Sequence, residues 1–193
     1  MRSTAGRLIV WAAVVALILA IPLALTLLGS GVDGDGWHWT FFDFVFMGAL
    51  LFGACLVYEL VAETRNNGAY RTAVGLAVAT AVLLVWINAA VGIIGDGDLD
   101  SPNGLYFAVL AIGFVSACIA RFRPRGMARA LGITALAQAL VPVIALVFWK
   151  PLLFEPPGVF GVFVLNTFFV LVWIGSALLF RRAGTAELNG QAK

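Results

Sequence analysis

Four polar side chains interrupt long apolar stretches of this chain, and they are the residues whose types could support binding or transport chemistry. They are Asp43, Asn88, Gln138 and Asn166. A polar group inside a bilayer is costly without a partner, so such residues usually face a bundle interior or a water-filled pathway. The four therefore predict an outward-facing polar pocket. The alternative is that the three amides link helices by hydrogen bonds worth less than about 1–2 kcal/mol each, while Asp43 lies at the membrane surface.

Two carboxylates form a second candidate site. Glu59 and Glu63 are one helical turn apart and share a helix face, and Arg65 and Arg71 follow within reach. A carboxylate at this depth extends to the interface or pairs with an arginine, so the pattern predicts a structural ion pair. A proton or cation relay through Glu59 is the alternative.

A cluster of positive charge follows the fourth apolar stretch. It consists of Arg121, Arg123, Arg125 and Arg129. Arginines at the headgroup level attract anionic lipid, and this cluster predicts such a contact. The alternative is that these charges only fix the membrane topology. So small a patch is not expected to bind nucleic acid.

Most catalytic and cofactor chemistries lack the residues they need. His38 is the single histidine, Cys55 and Cys118 have no Cys-x-x-Cys spacing, and neither lysine lies inside an apolar stretch. We therefore expect no metal, haem or other cofactor, and no nucleotide-binding motif is present. The sequence favours a protein that is not an enzyme. A lipid-acting enzyme stays a third hypothesis, because arginines can hold a phosphate.

The composition indicates that membrane helices must position these residues. The 193-residue chain is 62% hydrophobic and 11% charged, whereas a soluble domain carries about 25% charged residues. Spans of about 20 residues would use nearly the whole chain, so we predict one all-α membrane domain over residues 1–193. The predicted spans are residues 8–28, 41–62, 72–94, 105–120, 127–149 and 159–180.

Basic residues define the expected topology. Of the 12 Lys and Arg residues, all but Lys150 lie on alternate connections or on the two tails. Positive charge marks the cytoplasmic side of a membrane protein, so both termini are expected in the cytoplasm. The first apolar run resembles a secretory signal, but it is longer than the 7–15 residues of a signal core. We expect a retained helix; cleavage would leave five spans.

Two segments carry a family resemblance. Residues 86–95, WINAAVGIIG, and residues 120–131, ARFRPRGMARAL, are similar to a family of small bacterial multi-pass membrane proteins of uncharacterised activity. The resemblance spans roughly the second to the fifth helix. It implies an inner-membrane location and a helical bundle, and it implies no activity or site.

The sequence supports two main hypotheses about function. The first is a small transporter or channel component for a solute or ion, resting on the polar pocket. The second is an accessory or assembly subunit that binds lipid, a second copy or a larger membrane complex, resting on short loops and on small residues that allow close helix packing.

Overall fold

The protein is all-helical. The computed structural model describes residues 4–28, 38–62, 65, 67–95, 102–154 and 157–191, and no strand occurs among them. The α-helices are α1 Thr4–Leu28, α2 Phe41–Ala62, α3 Gly68–Ala90, α4 Gly104–Ile119, α5 Pro124–Phe148 and α6 Gly158–Gln191, with a short 3-10 helix at Lys150–Phe154. The predicted helical architecture is confirmed.

Five of these helices are long and apolar enough to cross a bilayer, namely α1, α2, α3, α5 and α6. The fourth helix, α4, has only 16 residues, which is shorter than the roughly 20 that a span requires. By length and composition the chain is a multi-pass membrane protein, and its exposed apolar side chains indicate a lipid environment.

The third helix is displaced from its predicted position. It begins at Gly68 and ends at Ala90, rather than covering residues 72–94. The Asn67 side chain accepts a hydrogen bond from the Tyr70 backbone N–H at 3.2 Å and caps the helix start. Gly92, with φ of 64°, turns the chain away after the last helical residues.

The chain divides into two compact units, residues 1–60 and 61–193. The first contains α1 and most of α2. Side chains near the start of α1 meet side chains near the end of α2, since the Trp11 and Tyr58 rings lie edge to face with centroids 6.0 Å apart. These two helices therefore run as an antiparallel hairpin.

The second unit is a four-helix bundle. Its strongest contacts join α5 to α6, α3 to α6 and α4 to α5, and a weaker contact joins α3 to α4. The Ser176 hydroxyl of α6 donates to the Ala73 carbonyl of α3 at 2.8 Å. Nearby, the Tyr70 and Phe180 rings pack edge to face at 5.2 Å. Each helix thus packs against two neighbours around one interior.

The two ends of this bundle are formed by different segments. At one end, the arginine end, the start of α3 meets α6 near Ala183 and the α4–α5 turn at Phe122. There the Asn67 side chain donates to the Ala183 carbonyl at 3.4 Å, and the Tyr70 hydroxyl donates to the Phe122 carbonyl at 2.8 Å. These bonds hold the start of α3 against α6 and against the α4–α5 turn. At the opposite end, the asparagine end, lie the described residues that follow α3 and precede α4, residues 91–95 and 102–103.

A glycine allows α4 and α5 to approach closely. A Cβ atom added to Gly113 would lie 2.9 Å from Thr134 Oγ1. That hydroxyl is fixed by a 3.0 Å hydrogen bond to the Ala130 carbonyl. Gly132, by contrast, has no atom within 4 Å of an added Cβ.

The two glycines predict opposite effects of the same substitution. Gly113→Ala should lower the free energy of unfolding by about 1–2 kcal/mol, because overpacking outweighs the gain in helix propensity. Gly132→Ala should raise it by up to about 1 kcal/mol. Thermal unfolding in detergent compares the two variants. A Gly113→Ala protein as stable as Gly132→Ala would contradict the close α4–α5 contact.

Candidate functional site

A hydrogen-bonded cluster of three side chains lies in the interior of the second unit. Gln138 Nε2 donates to Asn166 Oδ1 at 2.9 Å, and Asn166 Nδ2 donates to the Tyr106 hydroxyl at 2.9 Å. Gln138 is fully buried, and Asn166 and Tyr106 are 2% and 1% exposed. The cluster therefore connects α5, α6 and α4 through side chains that are all uncharged.

The orientation of the Asn166 amide follows from its neighbours. Its Nδ2 also donates to the Val162 carbonyl at 2.8 Å, and only the nitrogen end of the amide can do so. Both Nδ2 hydrogens are thus used, one on Val162 and one on Tyr106. The oxygen end must then face Gln138, which fixes which side chain donates and which accepts in each hydrogen bond of the cluster.

This arrangement leaves one acceptor and one donor unused. Gln138 Oε1 is buried and has no hydrogen-bond partner among the described residues. The Tyr106 hydroxyl accepts a hydrogen bond from Asn166, and no described residue accepts a hydrogen bond from this hydroxyl. A buried acceptor without a partner costs about 1–3 kcal/mol. Both groups belong to side chains that bond to the same Asn166 amide.

Two further buried polar atoms lack a partner in the described part of the chain. They are Asn88 Oδ1 on α3 and Trp173 Nε1 on α6, and their residues are 2% and 3% exposed. With a rise of about 1.5 Å per residue, Asn166 lies about 12 Å and Trp173 about 22 Å along α6 from its start. Unpartnered polar groups therefore occur at more than one depth of the bundle.

The other end of the Asn88 amide makes a contact that was not expected from the sequence. Its Nδ2 donates to the Asn103 carbonyl at 3.1 Å. The Asn103 side chain in turn accepts from the backbone N–H groups of Ile93 and Ile94 at 2.9 and 3.0 Å and donates to the Ile94 carbonyl at 2.9 Å. These bonds satisfy backbone groups between α3 and α4, so Asn88 contributes to closing the asparagine end.

The remaining member of the predicted pocket, Asp43, lies in the first unit. Its Oδ2 accepts from the Thr40 backbone N–H and from the Thr40 hydroxyl, both at 2.7 Å. The Asp43 N–H donates weakly to the Thr40 hydroxyl at 3.4 Å. This reciprocal pattern is a capping box at the start of α2. It gives Asp43 a local structural role.

Glu59 pairs with residues of α1. Its Oε1 accepts from the Trp11 indole N–H at 2.6 Å, and its Oε2 lies 3.5 Å from Arg7 Nε. Of the predicted neighbours, Arg65 and Arg71 belong to the second unit, and Glu63 lies outside the described residues. The Glu59 carboxylate therefore joins the two helices of the first unit.

The basic cluster is carried by an unusual turn at the arginine end. Arg121 and Phe122 have φ of 49° and 53°, a left-handed conformation that costs a residue with a Cβ about 1–2 kcal/mol. The Phe122 N–H donates to the Ala117 carbonyl and the Arg121 N–H to the Cys118 carbonyl, which is the Schellman pattern of a helix end. Together with the Tyr70 hydrogen bond to Phe122, these contacts fix the turn.

The buried polar side chains of the described residues carry no charge; they are Thr80, Asn88, Asn103, Thr134, Gln138, Asn166 and Ser176. In the described ranges no group of three His, Cys, Asp or Glu side chains is placed to hold a metal ion. The interior of the second unit thus offers amide, hydroxyl and indole groups as its polar chemistry.

Sequence reasoning did not identify Tyr106 as part of this interior. Its position at the start of a helix is typical of an aromatic residue at the membrane interface. The signal that places it inside is its spacing from Val109 and Ala117, which are also buried. Trp173 has the corresponding spacing on α6 from Asn166 and Phe180, both of them buried.

Comparisons of the chain with protein-family models, with curated proteins and with solved structures find no match. The geometry of the side chains is therefore the basis for the function proposed below.

The amide pair should be energetically coupled. Gln138→Leu and Asn166→Leu should each destabilise the protein, and the double variant should lose less than the sum by about 0.6–1.7 kcal/mol, the range for hydrogen bonds between membrane helices. Thermal unfolding of the four proteins in detergent measures this difference. Pairing either change with Thr167→Val, whose hydroxyl bonds only to its own helix, should give additive effects. Additivity in the first cycle would exclude a stabilising amide pair.

The left-handed turn predicts a stabilising substitution. Arg121→Gly should raise the free energy of unfolding by about 1 kcal/mol, because glycine adopts this conformation without steric cost. Arg123→Gly is the matched control, since its φ of −77° is accessible to any residue and the added flexibility destabilises. Denaturation in detergent should therefore rank Arg121→Gly above the wild type and Arg123→Gly below it. The reverse ranking would contradict the strain at Arg121.

Proposed function

We propose that the protein is a small transporter or channel component of the bacterial inner membrane, and that the second unit binds and passes a small uncharged polar solute. The observation that carries this proposal is an unused acceptor, Gln138 Oε1, and an unused donor, the Tyr106 hydroxyl, on two buried side chains that both bond to Asn166. Buried polar groups without partners are rare in folded proteins and call for an explanation. A solute that supplies both partners provides one.

The uncharged interior supports a neutral solute. A cation site requires several oxygen ligands around one point, whereas the described interior leaves single unpartnered oxygens at Gln138 and Asn88. An ion in a membrane interior without a charged partner is strongly disfavoured. A molecule with hydroxyl or amide groups, such as a polyol or urea, matches one donor and one acceptor.

The spread of unpartnered atoms favours passage over simple retention. Asn88 is near the asparagine end, the Gln138 cluster lies deeper, and Trp173 lies further toward the arginine end. A solute moving along the interior can exchange one hydrogen-bonding partner for the next. Weak binding at several positions is what conduction requires, because each site must release what it binds.

The distribution of arginines supports an orientation. Arg71, Arg121, Arg125 and Arg181 are all at the arginine end of the second unit, and they are exposed. Cytoplasmic segments carry the excess of Lys and Arg in bacterial membrane proteins. We therefore place the arginine end, together with both chain termini, in the cytoplasm, and the asparagine end on the outer side.

Solute flux tests the proposal directly. The full chain is reconstituted into liposomes, and stopped-flow light scattering measures the permeability to glycerol and to urea after an osmotic step. We expect the wild-type protein to raise the permeability to at least one of them. Tyr106→Phe should reduce that increment about five- to tenfold, the loss expected for one hydrogen bond of about 1–1.5 kcal/mol; Gln138→Leu should do the same.

A control variant separates the site from general damage. Thr167→Val removes a hydroxyl next to Asn166 on an exposed position of α6, and it should keep the wild-type permeability. Vesicles with wild-type protein that behave like empty vesicles toward both solutes would contradict the proposal. That result would favour the accessory hypothesis, in which the amides only link helices.

A further inference from the structure

Three arginines lie along the seam between α5 and α6 at the arginine end. A Cβ atom added to Gly184 would lie 3.0 Å from Arg125 Cγ, so the aliphatic part of Arg125 rests on the backbone of α6. Arg181 precedes Gly184 by one turn on α6, and Arg129 follows Arg125 by one turn on α5. Residues one turn apart share a helix face. Arg129 thus shares a face of α5 with Arg125, and Arg181 shares a face of α6 with Gly184.

Among the described side chains, no carboxylate pairs with these arginines. All three are exposed, and α3, α4 and α5 contain no acidic residue, nor does α6 as far as Ala186. The elements that pack against the seam thus supply no carboxylate from their described side chains. Three cations on one seam repel each other, and an anionic ligand from outside relieves that repulsion.

The seam continues into the apolar part of the bundle. Gly132 lies one turn beyond Arg129 and has open space around an added Cβ. Leu136 on α5 and Ile174 on α6 follow on the same side, and they are 63% and 41% exposed. Small and apolar residues thus follow the arginines along both helices, toward the middle of the bundle. A ligand with an anionic headgroup and an apolar chain matches a basic surface that is followed by an apolar one.

We propose that the α5–α6 seam is a binding site for an anionic phospholipid, whose phosphate binds Arg125, Arg129 and Arg181 and whose acyl chain lies over Gly132. Guanidinium groups bind phosphate oxygens in pairs and are weakly hydrated, which suits a site at the headgroup level. The site is independent of the proposed solute path, because none of its residues belongs to the buried cluster.

Lipid binding at this site differs from the general electrostatic attraction of basic loops to acidic membranes. Arg71 and Arg182 are also exposed at the arginine end. Arg71 is in the first turn of α3, and Arg182 follows Arg181 on α6 but lies about 100° further around that helix. We expect both to contribute to the electrostatic potential without contacting the same phosphate. This difference allows a control of equal charge.

Native mass spectrometry of the full chain in detergent measures the binding of phosphatidylglycerol and of phosphatidylcholine with the same acyl chains. We expect the wild type to bind phosphatidylglycerol more tightly. Arg125→Gln/Arg129→Gln should weaken that binding about 30-fold, or about fivefold for each arginine. The matched pair Arg71→Gln/Arg182→Gln removes the same charge from the same end and should show only the smaller loss of screened charges outside the site.

Two further arms separate the sources of the anion. Gly132→Leu leaves all charges in place and fills the space that the acyl chain would occupy. It should therefore weaken the binding of phosphatidylglycerol and leave the binding of inorganic phosphate unchanged. Inorganic phosphate alone should bind far more weakly than the lipid. Equal losses for the two arginine pairs, equal binding of the two lipids, or phosphate binding as tight as phosphatidylglycerol would each overturn the proposal. Thermal unfolding of every variant confirms that it is folded.

Discussion

The hydrogen bond between Gln138 and Asn166 is the interaction on which the interior of the second unit depends. Inside a bilayer, water does not replace a lost partner, so two buried amides strongly favour the helix positions that bring them together. Their bond fixes the rotation of α5 and α6 about their axes as well as their relative height. Because Asn166 also binds Tyr106, the same amide fixes α4, a helix too short to be positioned by its own span.

Small residues make this polar interior possible. Gly113 allows the α4 backbone to approach Thr134, and the Ser176 hydroxyl reaches the α3 backbone at Ala73. Since lipid tails are as apolar as leucine side chains, close packing and hydrogen bonds replace the hydrophobic effect as the forces between such helices. The first unit uses the same principle with a charge, because Glu59 meets both the indole of Trp11 and the guanidinium of Arg7.

The sequence allowed the helices to be predicted because hydropathy and length are local properties. It also identified Gln138 and Asn166, since an amide within an apolar run is visible without a structure. The limits of α3 were wrong, because they depend on the Asn67 cap and the turn at Gly92. The partners of Glu59 and Asn88 were not predicted. Those pairings are decided by which helix faces meet, and short loops do not specify that.

Tyr106 and Gln138 each carry one polar group that the bundle does not use. Phenylalanine would leave no hydroxyl hydrogen to satisfy, and leucine in place of Gln138 would remove the unpartnered Oε1. Each single change would, however, leave one group of the Asn166 amide without a partner, and an unpaired buried group costs about 1–3 kcal/mol. The two side chains therefore hold Asn166 in place, while their unused groups lower the stability of the bundle. Under the function proposed above, a bound solute pairs with both unused groups and offsets that cost.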